Sequence, residues 1–297
     1  NMKLRLIILL TIQIMVSQTP PYWGTIFIDQ DIITSNDIST FQTTEYAGQG
    51  YRTMYDRRVN SWITVNAYLF NTYFSDNLFC EIQVNPEFET PELAFEEAQF
   101  YASEIGRLPT ALRLDLETVW IHKGTEPFGG GNNNILIHTG QSINYINDGI
   151  LEETLVHEAC HTSLDSYHSS SIGWTTAQIL DNNFISQYAL DNPTTEDVAE
   201  SFLTWYAVRY RADRISDEMK NTILQTIPNR LEYFDNQSFN MSPINNGDIN
   251  NDNTINIQDI ILAVNLVLSN QFLTQADLNF DQVVDILDIV QIVNTIL

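Results

Sequence analysis

Two histidines and a glutamate, His157, Glu158 and His161, stand in the stretch LEETLVHEACHTSLD at a spacing suited to metal chemistry. Residues four apart lie on one face of an α-helix, so both imidazoles can reach one ion. Imidazole is a zinc ligand, and a glutamate beside it can act as general base toward a metal-activated water. The alternative is an amphipathic helix with two satisfied or exposed histidines. The choice requires a third ligand, because catalytic zinc takes three protein ligands.

Candidates for this third ligand follow downstream. Asp165 and His168 come soon after the motif, but Asp165 would have to bend back over His161 to reach the ion. The segment TTEDVAESF is the better candidate, because it carries Glu196 and Glu200 four apart on one helix face. A glutamate ligand at the first position and a carboxylate holding a histidine at the second would complete a zinc site.

The stretch HEACH followed by QYALDNPTTEDVAESF resembles the lethal-factor-like gluzincins over residues 157–202. The resemblance implies a zincin-like fold and a zinc endopeptidase, with Glu196 as third ligand to one zinc ion. It implies that Glu200 orients a ligating histidine and that Tyr188 stabilises the oxyanion. Glu158 would take the proton of the attacking water and deliver it to the leaving amine. In that fold an edge strand binds substrate as an extra β-strand, and NILIHTG is the candidate here.

Near the C-terminal end, two loops repeat the oxygen-ligand spacing of calcium sites, each followed by an apolar helical segment. The ligand positions are Asp248, Asn250, Asp252, Thr254 (carbonyl), Asn256 and Asp259 in the first loop, and Asp277, Asn279, Asp281, Val283 (carbonyl), Asp285 and Asp288 in the second. The alternative is a polar linker with amphipathic helices. The repeat resembles a type I dockerin over residues 247–297, which implies two structural calcium ions and a cohesin-like partner.

In dockerins positions 10 and 11 of each loop often contact the partner. Here these positions are more apolar than the usual pair: Ile257, Gln258, Ile286 and Leu287. Either the partner is atypical, or the helices pack against the protein's own domain.

The surrounding sequence predicts the elements that must hold these residues. WITVNAYLF, CEIQV, LETVWIH, NNILIHTG and GTIFI are strand candidates. Helices are predicted from Thr90 as N-cap, over residues 150–165, from Thr194 or Thr195 as N-cap, and over residues 215–227. The glycine-rich stretch KGTEPFGGGNNN lacks the end of a phosphate-binding loop, so no nucleotide role is expected. The predicted fold class is α+β: a zincin-like domain with a mixed sheet and active-site helices, then a small all-α dockerin.

The net charge and the N-terminal sequence limit where the protein is expected and which partners it can bind. A formal net charge of -25 argues against nucleic acid and anionic membranes as partners. Lys3 and Arg5 precede an apolar run over residues 6–16, a pattern typical of a secretory signal peptide, with an uncleaved interfacial anchor as the alternative. The run is too short for a stable membrane span. Cys80 and Cys160 are expected as buried small side chains, or as one disulfide.

The sequence therefore predicts a signal peptide (residues 1–18), a zincin-like metallopeptidase domain (19–240), a linker (241–246) and a dockerin (247–297). The predicted function is a secreted, zinc-dependent endopeptidase acting on protein or peptide substrates, with a calcium-binding dockerin for attachment. The alternative is a non-catalytic zincin-like binding or assembly protein whose active part is the dockerin.

Overall fold

The computed structural model describes residues 19–25, 32–243, 247–250, 254–278 and 283–297. The predicted signal peptide and most of the predicted strand GTIFI lie outside these residues. Within them the chain forms a mixed α+β structure with one six-stranded sheet and twelve α-helices. None of the described helices combines the length and the apolar character needed to cross a membrane.

The sheet is mixed. Its strands are β1 (Phe41–Asp56), β2 (Ser61–Phe74), β3 (Phe79–Val84), β4 (Thr118–His122), β5 (Gly129–Gly131) and β6 (Asn134–His138). The spatial order is β1-β2-β3-β4-β6-β5. β1, β2 and β3 are antiparallel, β3, β4 and β6 are parallel, and β5 runs antiparallel to β6. Four of the predicted strands are thereby confirmed, as β2, β3, β4 and β6.

The predicted edge strand is wrong. NILIHTG forms β6, which is covered on its outer side by β5, so the edge belongs to the glycines at 129–131. Strand propensity reflects side chains that pack on a pleated surface, and glycine has none. β5 pairs through its backbone alone, and the sequence pattern therefore gave no strand signal there.

The helices surround this sheet and continue beyond it. They are α1 (Pro91–Gly106), α2 (Thr110–Arg113), α3 (Thr139–Asp148), α4 (Leu151–Ser163), α5 (Asp165–His168), α6 (Ile172–Asp181), α7 (Gln187–Asp191), α8 (Asp197–Tyr210), α9 (Asp217–Thr226), α10 (Pro228–Asp235), α11 (Ile257–Ser269) and α12 (Ile286–Ile296). The predicted cap of α1 is confirmed, because the Thr90 hydroxyl accepts a hydrogen bond from the Leu93 N–H.

The predicted start of α8 is wrong. The chain turns at residues 193–196, where the Glu196 N–H donates to the Asn192 carbonyl, and α8 begins at Asp197. Glu196 occupies the N-cap position without capping through its side chain. Its carboxylate is directed instead toward the histidines of α4, which explains why the usual capping preference does not decide this helix start.

Two buried helices carry the candidate site. α4 buries Leu155, Val156 and Cys160 against the sheet, and α8 is buried on nearly every face. The fully buried Arg230 of α10 binds Asp197 at 2.8 Å, so the first turn of α8 is fixed directly after Glu196. Breaking such a buried pair is costly because it strands a charge in the interior.

Both cysteines are buried and unpaired, so the expected small buried side chains are confirmed and the alternative disulfide is wrong. Cys80 lies on β3 and Cys160 on α4, on separate elements of the core. Burial raises the pKa of Cys80 to about 12, which keeps its thiol protonated and unreactive at neutral pH.

The C-terminal residues form a second, smaller apolar cluster. α11 and α12 pack together, with Ile249, Ala263, Ala276, Val284 and Ile292 at its centre. Each helix begins with a capping box, formed by Asn256 with Asp259 and by Asp285 with Asp288. The predicted helix after each loop is confirmed, and the two units repeat the same local structure.

Candidate metal centre

The two histidines of α4 meet over one turn of the helix. The Nε2 atoms of His157 and His161 lie 3.1 Å apart, and their rings are nearly perpendicular. This arrangement follows from the helical period, which stacks side chains four apart on one face. The ring nitrogens point at a common position rather than at separate partners.

Glu196 completes a triangle with these nitrogens. Its Oε2 atom lies 3.3 Å from His157 Nε2 and 3.2 Å from His161 Nε2. Ligand atoms about 2.0–2.1 Å from a tetrahedral zinc ion are separated by roughly 3.3 Å. The three measured sides match that spacing, and two imidazoles with one carboxylate are a donor set of catalytic zinc. Among the described residues, this is the group of histidine, cysteine and acidic side chains found close enough to hold a metal.

The other nitrogen of each imidazole faces a second carboxylate. His157 Nδ1 lies 3.5 Å from Glu200 Oε1, and His161 Nδ1 lies 2.7 Å from Asp165 Oδ2. Asp165 therefore lies behind His161 and not among the three ligand atoms, because the turn at α5 brings it to the far side of the ring. His168, the other rival ligand, is outside the site and bonds the Tyr233 hydroxyl.

The carboxylates give this site a strongly negative electrostatic potential. Burial acts against the charged imidazole, but Asp165 and Glu196 outweigh it and raise the pKa of His161 to about 10. Burial likewise favours neutral Glu196, but hydrogen bonds from His157 and His161 lower its pKa to about 2. A metal cation and a proton compete for the ring nitrogens of such a site, because a metal-ligating imidazole must be neutral.

Glu158 and Tyr188 share a cavity of about 550 Å³ with the three ligand atoms; this cavity is called the cleft below. Glu158 is half-buried on α4. Tyr188 lies on α7, where partial burial and the Glu196 carboxylate raise its pKa to about 12. Ser186 caps α7 and also donates to Glu200 at 2.8 Å, which ties the position of Tyr188 to the histidine-orienting carboxylate.

The edge strand β5 runs directly against the helix that carries the motif. A Cβ atom on Gly130 would lie 1.9 Å from the Glu158 carbonyl oxygen, so only glycine allows this approach. Thr162 of α4 accepts a hydrogen bond from the Gly131 N–H and donates to the Asn134 carbonyl. These contacts fix β5 beside the cleft, which Gly130 and Gly131 line.

Two further residues of the cleft carried no sequence signal. Arg57, from the β1–β2 hairpin, and Tyr145, from α3, both line it. Neither belongs to a motif, and both reach the cleft only through the packing of elements distant in sequence.

The C-terminal ligand candidates are only partly within the described residues, since Asp252, Asn279 and Asp281 lie outside them. Among the others, Asp248, Asp259, Asp277 and Asp288 are buried. Asp259 accepts hydrogen bonds from the Ile249, Asn250 and Asn256 N–H groups, and Asp288 accepts from those of Leu278 and Asp285. The last aspartate of each loop thus closes the loop onto its helix.

The remaining candidates frame those loops. Asn256 and Asp285 cap α11 and α12 and accept hydrogen bonds from the Gln258 and Leu287 N–H groups. Asn250 donates from its side chain to Gln258, and Thr254 and Val283 lie in the short segments just before the helices. The side chains of Ile257, Gln258, Ile286 and Leu287 are exposed, so these four do not themselves pack against the catalytic domain.

Comparison with protein-family models, curated proteins and solved structures found no match. The functional conclusion therefore depends on the site itself. The structure brings together His157, His161, Glu196 and Glu200, and Glu158 and Tyr188 line the same cleft.

Proposed function

We propose that the protein is a secreted zinc endopeptidase with a zincin-like catalytic domain (residues 19–240). The observation that carries the proposal is the triangle of His157, His161 and Glu196, whose sides suit tetrahedral zinc, beside a half-buried glutamate. When bound, zinc supplies a Lewis acid that lowers the pKa of water.

The chain's own residues account for the proton transfers and the charge. Glu158 takes a proton from the attacking water and passes it to the leaving amine. The Tyr188 hydroxyl, which lines the same cleft, donates a hydrogen bond to the oxygen on which negative charge develops. Glu200 and Asp165 hold the His157 and His161 rings in their orientation.

The substrate is an extended peptide that adds to β5. An edge strand offers a row of unpaired backbone N–H and C=O groups, and a peptide can satisfy them in any sequence. β5 is the edge of the sheet on the cleft side, and its glycines let this edge lie directly against the helix that carries Glu158. The backbone pairing itself is therefore independent of the substrate sequence.

The test is the substitution Glu158→Gln. The amide cannot accept the proton of water, so peptide hydrolysis should fall by at least about 100-fold while zinc is retained. Zinc content is measured by mass spectrometry, and hydrolysis with a fluorogenic casein. Glu152→Gln is the matched control, because Glu152 lies on the same helix but outside the cleft. Substantial turnover by Glu158→Gln would refute this role.

For residues 247–297 we propose a calcium-binding dockerin that attaches the enzyme to a cohesin-like partner. The support is the repeated loop closure by Asp259 and Asp288 and the exposed apolar side chains of Ile257, Ile286 and Leu287. The partner would bury these side chains, which accounts for apolar side chains on the surface.

Calorimetric titration of the full-length, zinc-loaded protein with calcium tests this second proposal. Two equivalents should bind, and the double variant Asp248→Asn/Asp277→Asn should lose both, since each loop loses its first carboxylate. The same variant should keep its zinc and its peptidase activity. Calcium binding unchanged in the double variant would contradict the ligand assignment.

A further inference from the structure

One arginine projects into the cleft from a distant part of the chain. Arg57 follows β1 at the tip of the β1–β2 hairpin. Its guanidinium lies against the edge strand, since a Cβ atom on Gly129 would be 2.9 Å from Arg57 Nη2 and 3.6 Å from Nε. A peptide that pairs with β5 therefore passes beside this cation.

The charges of the cleft make Arg57 distinctive. Glu158, Asp165 and Glu196 line the cleft, and Arg57 is the one lysine or arginine among the described lining residues. The whole chain carries a formal net charge of -25. A cation is therefore exceptional in this position, and it opposes the field that would otherwise repel every acidic peptide.

The hairpin tip that carries Arg57 is anchored, but Arg57 itself forms no ion pair with any described residue. The adjacent Arg58 binds Asp56 at 2.8 Å and Glu87 at 2.7 Å, which anchors the hairpin tip. Arg57 has no carboxylate within 4.0 Å in the described part of the chain, and its side chain is exposed. The neighbouring Arg58 forms the ion pairs that anchor the hairpin, and the Arg57 guanidinium remains available to a ligand.

Tyr145 lines the cleft together with Arg57 and Glu158. The phenol packs edge-on against Phe128 and is half-buried in the cleft wall. Partial burial raises the pKa of Tyr145, the Glu158 carboxylate adds to the rise, and Arg57 opposes it. Arg57, Tyr145 and Glu158 line the same cleft, so a group bound by Arg57 lies in the same cleft as the base.

We propose that Arg57 is a specificity-determining residue that binds a carboxylate of the substrate; this inference rests on the proposed peptidase function. The planar guanidinium binds carboxylates through two parallel hydrogen bonds. The carboxylate is either an Asp or Glu side chain near the cleaved bond or the terminal carboxylate of the peptide. Basic side chains are rejected at that position, because like charges in a confined cleft repel.

Matched peptides test the proposal. Each quenched fluorescent peptide carries Glu, Gln or Lys at one position flanking the cleaved bond, and each is made with a free or an amidated C-terminus. The wild-type protein should favour the best carboxylate peptide over its neutral partner by about 10-fold in kcat/KM. Arg57→Gln should reduce this ratio to about one, and Arg57→Glu should favour Lys. The Glu/Gln and acid/amide series identify which carboxylate is bound.

Lys220→Gln is the control, because it removes the same charge from α9, outside the cleft. It should leave the preference intact. An equal loss of activity on all peptides in Arg57→Gln would mean a contact to the peptide backbone and would overturn the proposal, as would an unchanged ratio.

Binding provides a readout that does not need turnover. Fluorescein-labelled versions of the same peptides are titrated onto Glu158→Gln protein, with and without Arg57→Gln. An Arg57-dependent preference without hydrolysis by any protein would refute the peptidase but keep the carboxylate subsite. Hydrolysis without that preference would do the reverse, and absence of both would refute both.

Discussion

Two pairs of histidines in this protein show opposite behaviour. The cleft pair, His157 and His161, lies four residues apart on α4, with ring nitrogens 3.1 Å apart. The sheet pair, His122 and His138, lies on adjacent parallel strands, β4 and β6, as register partners. Its rings are stacked with centroids 5.5 Å apart, compared with 4.8 Å and a perpendicular arrangement in the cleft. Close approach of two imidazoles is therefore common to both pairs, and convergence of their nitrogens is not.

The surroundings of the two pairs differ as well. In the sheet pair, His122 Nδ1 meets the Asn85 amide at 2.9 Å, and His138 Nδ1 meets the Lys123 carbonyl at 3.0 Å. Burial lowers the pKa of His122 to about 4; Asp56 and Glu87 oppose this shift, and the partner imidazole and Arg58 add to it. Burial also lowers the pKa of His138. In the cleft, carboxylates in direct contact raise the pKa of His161 instead.

This contrast teaches that burial and histidine proximity do not make a cation site. Two features are decisive. The ring nitrogens must point at one common position, and carboxylates must contact the rings. A helix provides the first through its period, and strands in register place side chains in parallel rather than aiming them at one point. The sheet pair is consequently a packed, neutral part of the interior.

The largest effect is expected when the carboxylate that faces both imidazoles of the cleft pair is removed. Glu196→Ala should lower zinc affinity by more than about 100-fold, because it deletes a ligand atom. Asp165→Ala should cost about 10- to 100-fold, since it only frees the His161 ring. Competition with a chromogenic zinc chelator measures both. A larger loss in Asp165→Ala would reverse the assignment of the third ligand.

The next effect concerns the neutral state of the sheet pair. The pKa of His122 is about 4 in the folded protein against 6.5 for the ordinary side chain. Stability from this group is therefore complete above pH 6.5 and is lost as the pH falls toward 4, by about 3 kcal/mol at most. Urea unfolding of wild type and His122→Gln across this window measures the difference, and the variant should lose less stability.

The groups that face His122 in this experiment are Asp56, Arg58, Glu87 and His138. They are unchanged in His122→Gln, so the comparison of slopes isolates the single imidazole. Equal slopes for the two proteins would show that His122 is protonated at an ordinary pH, and the contrast between the histidine pairs would then fail.

The smallest expected effect is on metal content. His122→Gln should leave zinc stoichiometry and affinity unchanged, because no carboxylate of the described residues lies within 4.0 Å of the sheet-pair nitrogens. His157→Gln should abolish stoichiometric zinc binding under the same conditions. Mass spectrometry of purified proteins compares the two, with circular dichroism to verify folding. Zinc loss in both variants would remove the distinction.

Local sequence was sufficient for much of the architecture. The strands β2, β3, β4 and β6 and the helices α1, α4 and α9 follow from side-chain periodicity and caps. It was insufficient at β5 and at the start of α8. Three glycines pair through the backbone without a side-chain pattern, and Glu196 turns its carboxylate toward α4 rather than capping its own helix.

The sequence by itself determined the relations between residues one helical turn apart. His157 with His161 and Glu196 with Glu200 were readable, because the α-helical period fixes which side chains share a face. The duplicated C-terminal loops were readable for a similar reason, since their spacing recurs within each short unit.

Only the tertiary structure decided what meets across the cleft. Arg57 reaches it from the β1–β2 hairpin, Tyr145 from α3, and the edge beside Glu158 is formed by Gly130. Asp165, a rival ligand by sequence, lies behind His161 because the chain turns at α5. Apart from Asp165 and His161, which are neighbours in sequence, these contacts join residues on separate elements, and they arise from the packing of whole elements. No local period encodes that packing.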